Sequence, residues 1–579
     1  MPSAALFLVH STQLTHLSPI DVLILALYFA VVVFIGFYVK GSTNTSEEFF
    51  LAGREMSAWI AGLSFVSANL GSLELMGWAG AAYQYGILAT HWYWIGAIPA
   101  MLFLGLVMMP FYYISKTHSV PGYLQLRFGE GARGLSAVSF GLMTILMSGV
   151  NMYAMAVVMQ TVLGWNMTFS IWTGAATVAL YVMLGGLRSA IINEVLQFVL
   201  IWAGAALIPI LGLIEAGGWT NLKANIATNI GNNSYTHLWS TLGHFKDNPM
   251  GINWVGIVFG LGAIISFGYW TTDFLVVQRV LSANNLRAAK MAPIIGAAFK
   301  MAVPLIVIFP GLICLGLMQD GHPLFHLVPG AVAKVTGQPA YDQVLPLMLI
   351  RYCGPGLLGL GITALVAGFM SGMAGNVSAF STVWTYDIYG AYINKRADDK
   401  HYVLMGRVST VVGMLISIGT AYLVMNAASI MDYVQALFSF FIAPLFGTVI
   451  LGMLWKRATN WGGFLGLLAG TAASIGMFLY TSTGSAAHKA AALSHIALSA
   501  DAQPMAENMF RALWSWLICV FVTVVVSYMT KPKTDAELNG LVYGATVIPD
   551  DGTTSVFQKP IFWAGVVSVV FIALNIIFF

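Results

Sequence analysis

Residues 64–77 read SFVSANLGSLELMG, and they decide how the rest of the chain is interpreted. The stretch lies inside a long apolar segment, yet it carries six small or polar residues: Ser64, Ser67, Asn69, Gly71, Ser72 and Glu74. In a bilayer, irregular backbone survives only where protein or a water-filled cavity covers it. The pattern therefore predicts a helix broken at mid-span, whose freed carbonyls and helix ends face a ligand or an ion. Glu74 strengthens this prediction, because an ionisable residue at that depth indicates a functional site.

The composition of the whole chain is that of a polytopic membrane protein. Of its 579 residues, 58% are hydrophobic and only 8% are charged, whereas about a quarter of the residues in soluble domains are charged. The net charge of +3 is too small to indicate a nucleic-acid partner. Three cysteines, Cys314, Cys353 and Cys519, have no motif spacing and are predicted to be packing residues. The first apolar run lacks the flanks of a cleavable signal, so it is predicted to be a span.

The chain is predicted to be all-α with about 14 transmembrane helices, since a helix needs about 20 apolar residues to cross the bilayer. An N-terminal extra helix falls within residues 1–42. Ten spans follow, near 57–85, 91–115, 133–163, 168–187, 190–216, 252–280, 290–319, 345–390, 403–425 and 427–455. The stretch 345–390 is too long for a single span and is expected to include flanking helices. Three accessory helices are expected within 456–579, and external loops at 217–251, 320–344 and 483–507.

The distribution of basic residues predicts the orientation in the membrane. With the N-terminus outside, 18 of the 25 Lys and Arg residues lie on the inner side and six on the outer side, while Lys300 falls inside a span. Cytoplasmic loops carry the excess of Lys and Arg. The bias therefore predicts a cell (inner) membrane protein with both termini on the outer side.

Two groups of five spans suggest an inverted repeat, because an odd-numbered unit inserts its second copy upside down. Residues 57–216 would form the first copy and residues 252–455 the second. Corresponding helices should then be broken in both copies. Residues 266–273, SFGYWTTD, place polar and glycine residues at mid-span in the first helix of the second copy, as residues 69–72 do in the first.

Short motifs throughout the chain carry a resemblance to a known family. They are FLAGR at 50–54, SANLGS at 67–72, VPGY at 120–123 with RF at 127–128, GGL at 185–187, QR at 278–279, FPG at 309–311 and YDIY at 386–389. On these motifs the chain resembles the sodium/solute symporters, and within them the bacterial sodium/glucose (galactose) cotransporter branch. The resemblance implies a LeuT-type inverted five-helix repeat with broken core helices 1 and 6, and transport of sugars or other small solutes with sodium as the co-transported ion.

The resemblance also implies a sodium site. It would combine the carbonyls of Ser67 and Leu70 on core helix 1 with the carbonyl of Gly368 and the hydroxyl of Ser371 on core helix 8. Family members usually carry a second hydroxyl at the next position, where this chain has Gly372. If Gly372 is a missing ligand, Gly372→Ser should strengthen sodium dependence. The alternative is that the small residues of core helix 8 only serve close helix packing.

An acidic residue on the ion exit path is also implied, and Glu194 stands at that position. The alternative for Glu194 is an interfacial ion pair with Arg188.

The solute site implied by the resemblance draws polar side chains from several core helices: Glu74, Tyr93, Ser266, Lys300 and Gln435. Lys300 and Gln435 match the sugar-carrying bacterial members, whereas Glu74, Tyr93 and Ser266 replace other polar residues there. Sugar hydroxyls both donate and accept hydrogen bonds, so these side chains suit a sugar. The alternative for Glu74 is a structural pair with Lys300, since buried charges need partners. A proton-coupling role for Glu74 is a further alternative.

Four more residues receive structural or gating predictions. Tyr269 matches the aromatic residue that closes the inner side of the family's solute pocket, and Trp270 follows it as in the family; the alternative is ordinary packing. Asp273 is expected to cap the second half of core helix 6, and Asp387 to cap the end of core helix 8.

The sequence therefore predicts a sodium-coupled importer of a small polar solute, favouring a monosaccharide. Other small solutes, namely a carboxylate, a cyclitol or an amino acid, and a transporter-like membrane sensor are the alternatives. No constellation typical of an intramembrane enzyme is found in the sequence. The expected partners are the solute and the lipid bilayer.

Overall fold

The computed structural model describes residues 17–39, 45–317, 341–425, 429–549 and 555–579. Ten helices in these ranges are long and apolar enough to cross a membrane. They are Pro19–Val39, Trp92–Ile114, Glu130–Leu163, Gly185–Glu215, Leu357–Ile393, Asp399–Val424, Ile430–Leu454, Asn460–Ser482, Pro504–Met529 and Pro560–Ile577. Within the same ranges no strand forms, and the backbone of Met56 pairs with that of Ala283 as an isolated bridge.

Two further spans each consist of two helices joined at a sharp bend, which brings the number to 12 when each pair counts as one span. The first bent pair is Ala58–Asn69 with Ser72–Thr90, which meet at 56°. The second bent pair is Gly256–Thr272 with Phe274–Leu281, which meet at 50°. The bends fall within the two polar stretches singled out in the sequence. At the second bend, Asp273 Oδ1 accepts a hydrogen bond from the Leu275 N–H at 2.9 Å, so the predicted cap is confirmed.

Shorter helices connect and flank these spans. They are Ser46–Leu51, Ala52–Arg54, Val120–Phe128, Trp219–Ile230, Phe245–Asp247, Leu286–Lys300, Pro304–Val307, Phe309–Gly316, Tyr341–Gln343, Val344–Tyr352, Ala486–Ile496, Asp535–Leu538 and Val556–Gln558. The helix Trp219–Ile230 lies within the predicted external loop 217–251. Most of the predicted loop 320–344, and residues 1–16 of the N-terminal segment, lie outside the described residues.

Three predicted spans differ in their continuity from the observed helices. The predicted spans 168–187 and 190–216 begin as one helix, Met167–Ala205, kinked at Gly186. Gly186 has a φ of +52°, and a Cβ there would lie 2.5 Å from the Phe49 carbonyl, so only glycine fits this kink. The predicted span 290–319 is a run of three helices, of which the second and third begin at or next to a proline, Pro304 and Pro310. The stretch 345–390 divides at 353–356, as its length predicted.

The Leu357–Ile393 helix forms the centre of the bundle. Nearly every residue from Leu358 to Val383 is buried. The helix packs against Met167–Ala205, Glu130–Leu163 and both halves of the first bent pair. The first bent pair in turn packs against Leu286–Lys300 and Phe274–Leu281. The two bends therefore lie inside protein, where irregular backbone is tolerated at membrane depth.

Candidate functional site

The first bend is built from Leu70 and Gly71, which separate the helices Ala58–Asn69 and Ser72–Tyr85. Leu70 leaves the helical region with φ −76° and ψ 52°, and Gly71 is extended with φ −71° and ψ 171°. A Cβ on Gly71 would lie 2.8 Å from Asn151 Oδ1, so a larger residue would displace that side chain. The last carbonyls of a helix have no partner within the helix, and here they lie in the protein interior.

The four predicted sodium ligands are brought together at this bend. The Ser371 hydroxyl donates a hydrogen bond to the Ser67 carbonyl at 2.8 Å, and the hydroxyl oxygens of these two residues lie 3.1 Å apart. A Cβ built on Gly368 would lie 3.0 Å from the Leu70 carbonyl oxygen, so the two backbones are in close contact. All four residues are buried. The arrangement concentrates neutral oxygen atoms, which are the ligands that a hard cation prefers.

Asn151, on the Glu130–Leu163 helix, joins this group, and the sequence analysis did not identify it. Its side chain lies between Gly71 and Gly372, the position where a hydroxyl was expected. Its backbone carbonyl accepts a hydrogen bond from the Ser72 hydroxyl at 3.2 Å. The only signal in the sequence is an amide within the apolar run 145–159, which does not reveal which neighbour it meets.

Glu74 lies in the first turn after the bend and is the acceptor at the centre of a polar cluster. Its Oε1 accepts hydrogen bonds from Lys300 Nζ at 2.8 Å and from the Tyr93 hydroxyl at 2.7 Å. Lys300 Nζ also donates to Asn69 Oδ1 and lies 4.9 Å from the Tyr93 ring centroid and 5.3 Å from that of Trp270. The predicted pairing of Glu74 with Lys300 is therefore observed, and the pair leaves the cluster with no net charge.

Ser266 and Gln435 approach the cluster from two other helices. One cavity is lined by residues of both bent pairs and includes all five predicted solute-site residues. Gln435 Oε1 is buried and has no hydrogen-bond partner among the described residues, although buried polar atoms usually have one. The Ser266 hydroxyl lies against Gly96, where a Cβ would come within 2.4 Å of it. Because Gly96 has no side chain, Ser266 has room to line the cavity.

The two predicted gate residues form one wall of the same cavity. The Tyr269 hydroxyl accepts a hydrogen bond from Asn69 Nδ2 at 2.8 Å, and its ring packs on Phe438 with centroids 5.0 Å apart. The Trp270 ring packs on Phe65 at 5.2 Å. Asn69, quoted in the sequence but given no role, therefore joins Tyr269 to Lys300.

Glu194 is completely buried in protein and does not pair with Arg188. Its carboxylate forms two bonds with Arg279, at 2.6 Å from Nη2 and 3.3 Å from Nε, and also accepts a hydrogen bond from the Ser64 hydroxyl. Both side chains are completely buried. Arg188 instead pairs with Glu55 at 3.3 Å. The alternative of a Glu194–Arg188 pair is wrong, because the second bent pair places Arg279, 85 residues away in the sequence, beside Glu194.

Asp387 does not cap the end of its helix, since the Leu357–Ile393 helix continues past it. Its carboxylate accepts hydrogen bonds from the Ser119 hydroxyl at 2.5 Å and from Arg133 Nε at 3.0 Å. The prediction of a cap is therefore wrong. Asp387 ties this helix to the starts of the Val120–Phe128 and Glu130–Leu163 helices.

Comparisons with known proteins show what the chain as a whole is similar to. Residues 49–470 match the model of a family described as "Sodium:solute symporter family". Sodium/glucose cotransporter 1 of Ovis aries is 29% identical over 548 residues, which cover 90% of this chain and 80% of that protein. Sodium/myo-inositol cotransporter 2 of Sus scrofa is 30% identical over 469 residues, covering 78% of this chain and 69% of that protein.

Among solved structures, a Na⁺-coupled sialic acid symporter in a substrate-bound outward-open state superposes with a TM-score of 0.72 at 19% identity. The superposition covers 89% of this chain and 99% of that one, and it shows that the two chains share a fold.

Proposed function

The chain belongs to the sodium:solute symporter family, and on that premise we propose that it imports a neutral polyhydroxylated solute, favouring a monosaccharide, together with sodium. It is a multi-pass membrane protein, and the family supports sodium as the co-transported ion. We assign transport, and no enzymatic activity, to the chain.

The observation that carries the solute class is the neutral cluster around Glu74. Lys300 is already paired with Glu74, so the described residues that line the cavity present no unbalanced cation that would attract a carboxylate. It does present donors and acceptors side by side, including the unpartnered Oε1 of Gln435. A sugar hydroxyl donates and accepts at once and therefore suits this mixture. Aromatic side chains at the cavity, such as Trp78 and Tyr269, suit the apolar face of a sugar ring.

A cyclitol is the second candidate, because it presents the same ring of hydroxyl groups. Relatives of the chain include proteins named as cotransporters of glucose and of myo-inositol. The hydrogen-bonding groups of the cavity do not by themselves distinguish a pyranose from a cyclitol, so both belong in the test.

Residues 67–72 and Leu357–Ile393 supply the sodium site in this proposal. Ser67 and Leu70 offer carbonyls, Gly368 offers a third carbonyl and Ser371 offers a hydroxyl. Tyr269 and Trp270 act as the inner gate and Glu194 lies on the ion exit path. The two bent pairs begin the two inverted repeats, 57–216 and 252–455. Counting Met167–Met183 and the interrupted run 286–316 as spans gives 14, with both termini on the outer side of the cell membrane.

The test is uptake into proteoliposomes that contain the purified full chain. Labelled galactose, glucose, myo-inositol, proline and acetate are each offered with an inward sodium gradient or with choline replacing sodium. We expect sodium-dependent uptake of a sugar or the cyclitol, and uptake about 100-fold lower in liposomes that carry Glu74→Gln protein. Uptake that ignores sodium would overturn the coupling, and uptake of acetate or proline alone would overturn the solute class.

A further inference from the structure

The side chain of Asn151 occupies the space that a hydroxyl at position 372 would need. A Cβ built on Gly372 would lie 3.2 Å from Asn151 Oδ1, 3.3 Å from its Nδ2 and 3.1 Å from the Gly71 Cα. A Cβ on Gly71 would lie 2.8 Å from the same Oδ1. Two glycines on facing helices thus make room for one carboxamide.

The carboxamide is held in place by the helix that begins after the bend. Asn151 is buried, and its Oδ1 lies 3.4 Å from the backbone N–H of Leu73. The Ser72 hydroxyl bonds to the Asn151 backbone carbonyl, which fixes the Glu130–Leu163 helix against the bend. Asn151 also lines the cavity, as do Gly71 and Gly372. Its oxygen therefore lies beside the bend, next to the residue that follows Ser371.

We propose that Asn151 Oδ1 is a sodium ligand that replaces the hydroxyl missing at Gly372. The inference rests on the sodium coupling proposed above and names a residue outside the expected set. An amide oxygen is neutral and hard, as a hydroxyl or a backbone carbonyl is, so the exchange conserves both charge and ligand type. The set becomes the carbonyls of Ser67, Leu70 and Gly368, the Ser371 hydroxyl and Asn151 Oδ1.

The proposal changes the expected outcome at position 372. From the sequence, Gly372→Ser adds a missing ligand and strengthens sodium dependence. With Asn151 in place, the serine Cβ would instead crowd the carboxamide and the Gly71 backbone. The serine should act as a ligand only when Asn151 is shortened at the same time.

The experiment measures binding of ²²Na⁺ to the purified full chain in nanodiscs, which requires no knowledge of the solute. We expect Asn151→Ala to weaken ²²Na⁺ binding about tenfold, the equivalent of one hydrogen-bond-strength contact, and Gly372→Ser to weaken it by at least as much. The double variant Asn151→Ala/Gly372→Ser should return to within about threefold of the wild type. Asn151→Asp retains an oxygen at the site and should bind at least as tightly as the wild type.

Ser148→Ala is the matched control. Ser148 lies one turn earlier on the same helix, and its hydroxyl bonds to the Thr144 carbonyl of that helix. This variant should bind ²²Na⁺ as the wild type does, and the melting temperature in sodium-free buffer reports on the folding of every variant.

Several results would overturn the assignment of Asn151. They are unchanged binding in folded Asn151→Ala, binding in Asn151→Asp more than about tenfold weaker than in the wild type, or a double variant no better than either single one. A wild type that binds no ²²Na⁺ would overturn the proposed coupling itself, and the ligand assignment with it. The two failures are therefore distinguishable in one series.

Discussion

Two buried ion pairs each have one member on a bent pair of helices, Arg279 in one and Glu74 in the other, and they differ in what surrounds them. The planar guanidinium of Arg279 donates two hydrogen bonds to the Glu194 carboxylate. Its Nη1 also donates to the Leu275 carbonyl and to Gln278 Oε1. The compact ammonium group of Lys300 donates a hydrogen bond to Glu74. Aromatic rings lie close to this pair, and both residues line the cavity. The first pair is sealed in protein, whereas the second forms part of a cavity wall.

In the proposed function, this difference separates a pair that contacts the solute, Glu74 with Lys300, from a pair of the same chemistry that does not, Glu194 with Arg279. Arginine satisfies a carboxylate through fixed bidentate geometry, and lysine is more easily re-partnered because its charge is compact and its stem is flexible. A solute hydroxyl entering the cavity can share Glu74 and Lys300 without leaving either charge unpaired. The pair between Glu194 and Arg279 does not line this cavity, and both of its side chains are completely buried.

Breaking the sealed pair should have the largest effect on stability. Glu194→Gln leaves the Arg279 charge buried without its counter-ion, which costs about 3–5 kcal/mol in comparable pairs. We expect a large fall in the melting temperature and in the yield of monodisperse protein. The double variant Glu194→Gln/Arg279→Met should recover most of the loss, because it removes the stranded charge.

The exposed pair between Arg54 and Glu47 is the control for that experiment. Glu47 is half exposed, and such pairs contribute about 0–1 kcal/mol. Glu47→Gln should therefore melt close to the wild type. If Glu194→Gln also melted like the wild type, the sealed pair would not hold the helices together.

Breaking the cavity pair should affect transport more than stability. Glu74→Gln keeps an acceptor for Lys300 and for the Tyr93 hydroxyl, and Lys300 keeps its bond to Asn69. We expect the melting temperature to fall less than in Glu194→Gln, and uptake of the solute that the wild type carries to fall about 100-fold, equivalent to about 2.7 kcal/mol.

Initial rates of uptake and melting curves of the same preparation measure the two quantities together. A Glu74→Gln protein that melts far below the wild type would contradict the comparison, because its pair would then be as structural as the sealed one. Unchanged uptake would instead remove Glu74 from the solute site.

The smallest expected effect concerns Gln435, which faces the cavity without being charged. Its Oε1 has no partner in the described part of the chain, so the solute is its natural hydrogen-bond donor. Gln435→Leu should raise the KM for solute about tenfold, with little change in Vmax, since one or two hydrogen bonds are lost. Concentration-dependent uptake measures this split.

Gln197→Leu is the matched control, because Gln197 is also buried with an unpartnered Oε1 in the described structure, but it bonds to the Tyr28 hydroxyl away from the cavity. Its KM should match that of the wild type. An equal rise in KM for both variants would mean that general loosening of the bundle, and not lost solute contact, explains the effect.

The sequence predicted the features that depend on local composition. The polar residues at 69–72 and at 266–273 each coincide with a bend of 50° or more, and the charge rule for buried groups paired Glu74 with Lys300. The caps and kinks were less predictable. Asp273 caps the next helix as expected. Asp387, in contrast, lies inside a helix that continues for another turn, and its carboxylate pairs with Arg133.

Contacts between distant helices were beyond sequence reasoning. Arg188, six residues before Glu194 in the sequence, is the alternative partner for Glu194, yet the fold places Arg279 beside it. Asn151 is one amide in a helix of 34 residues, and nothing in its neighbours predicts that it meets Gly71 and Gly372. Such contacts depend on the packing of separate helices, which a single sequence does not record.

Asn69 has a consequence for leakage across the membrane. Its amide donates to Tyr269 with one end and accepts from Lys300 with the other, and it directly precedes the carbonyl of Leu70. If Tyr269 is the inner gate, as proposed above, these two hydrogen bonds hold it closed until solute binds, and sodium alone has no open route to the interior. In this proposal, a solute that draws Lys300 away from Asn69 weakens the hold on Tyr269, so the gate opens only with solute bound and sodium does not cross without it. In electrical recordings, Asn69→Ala should therefore carry a sodium current in the absence of any solute.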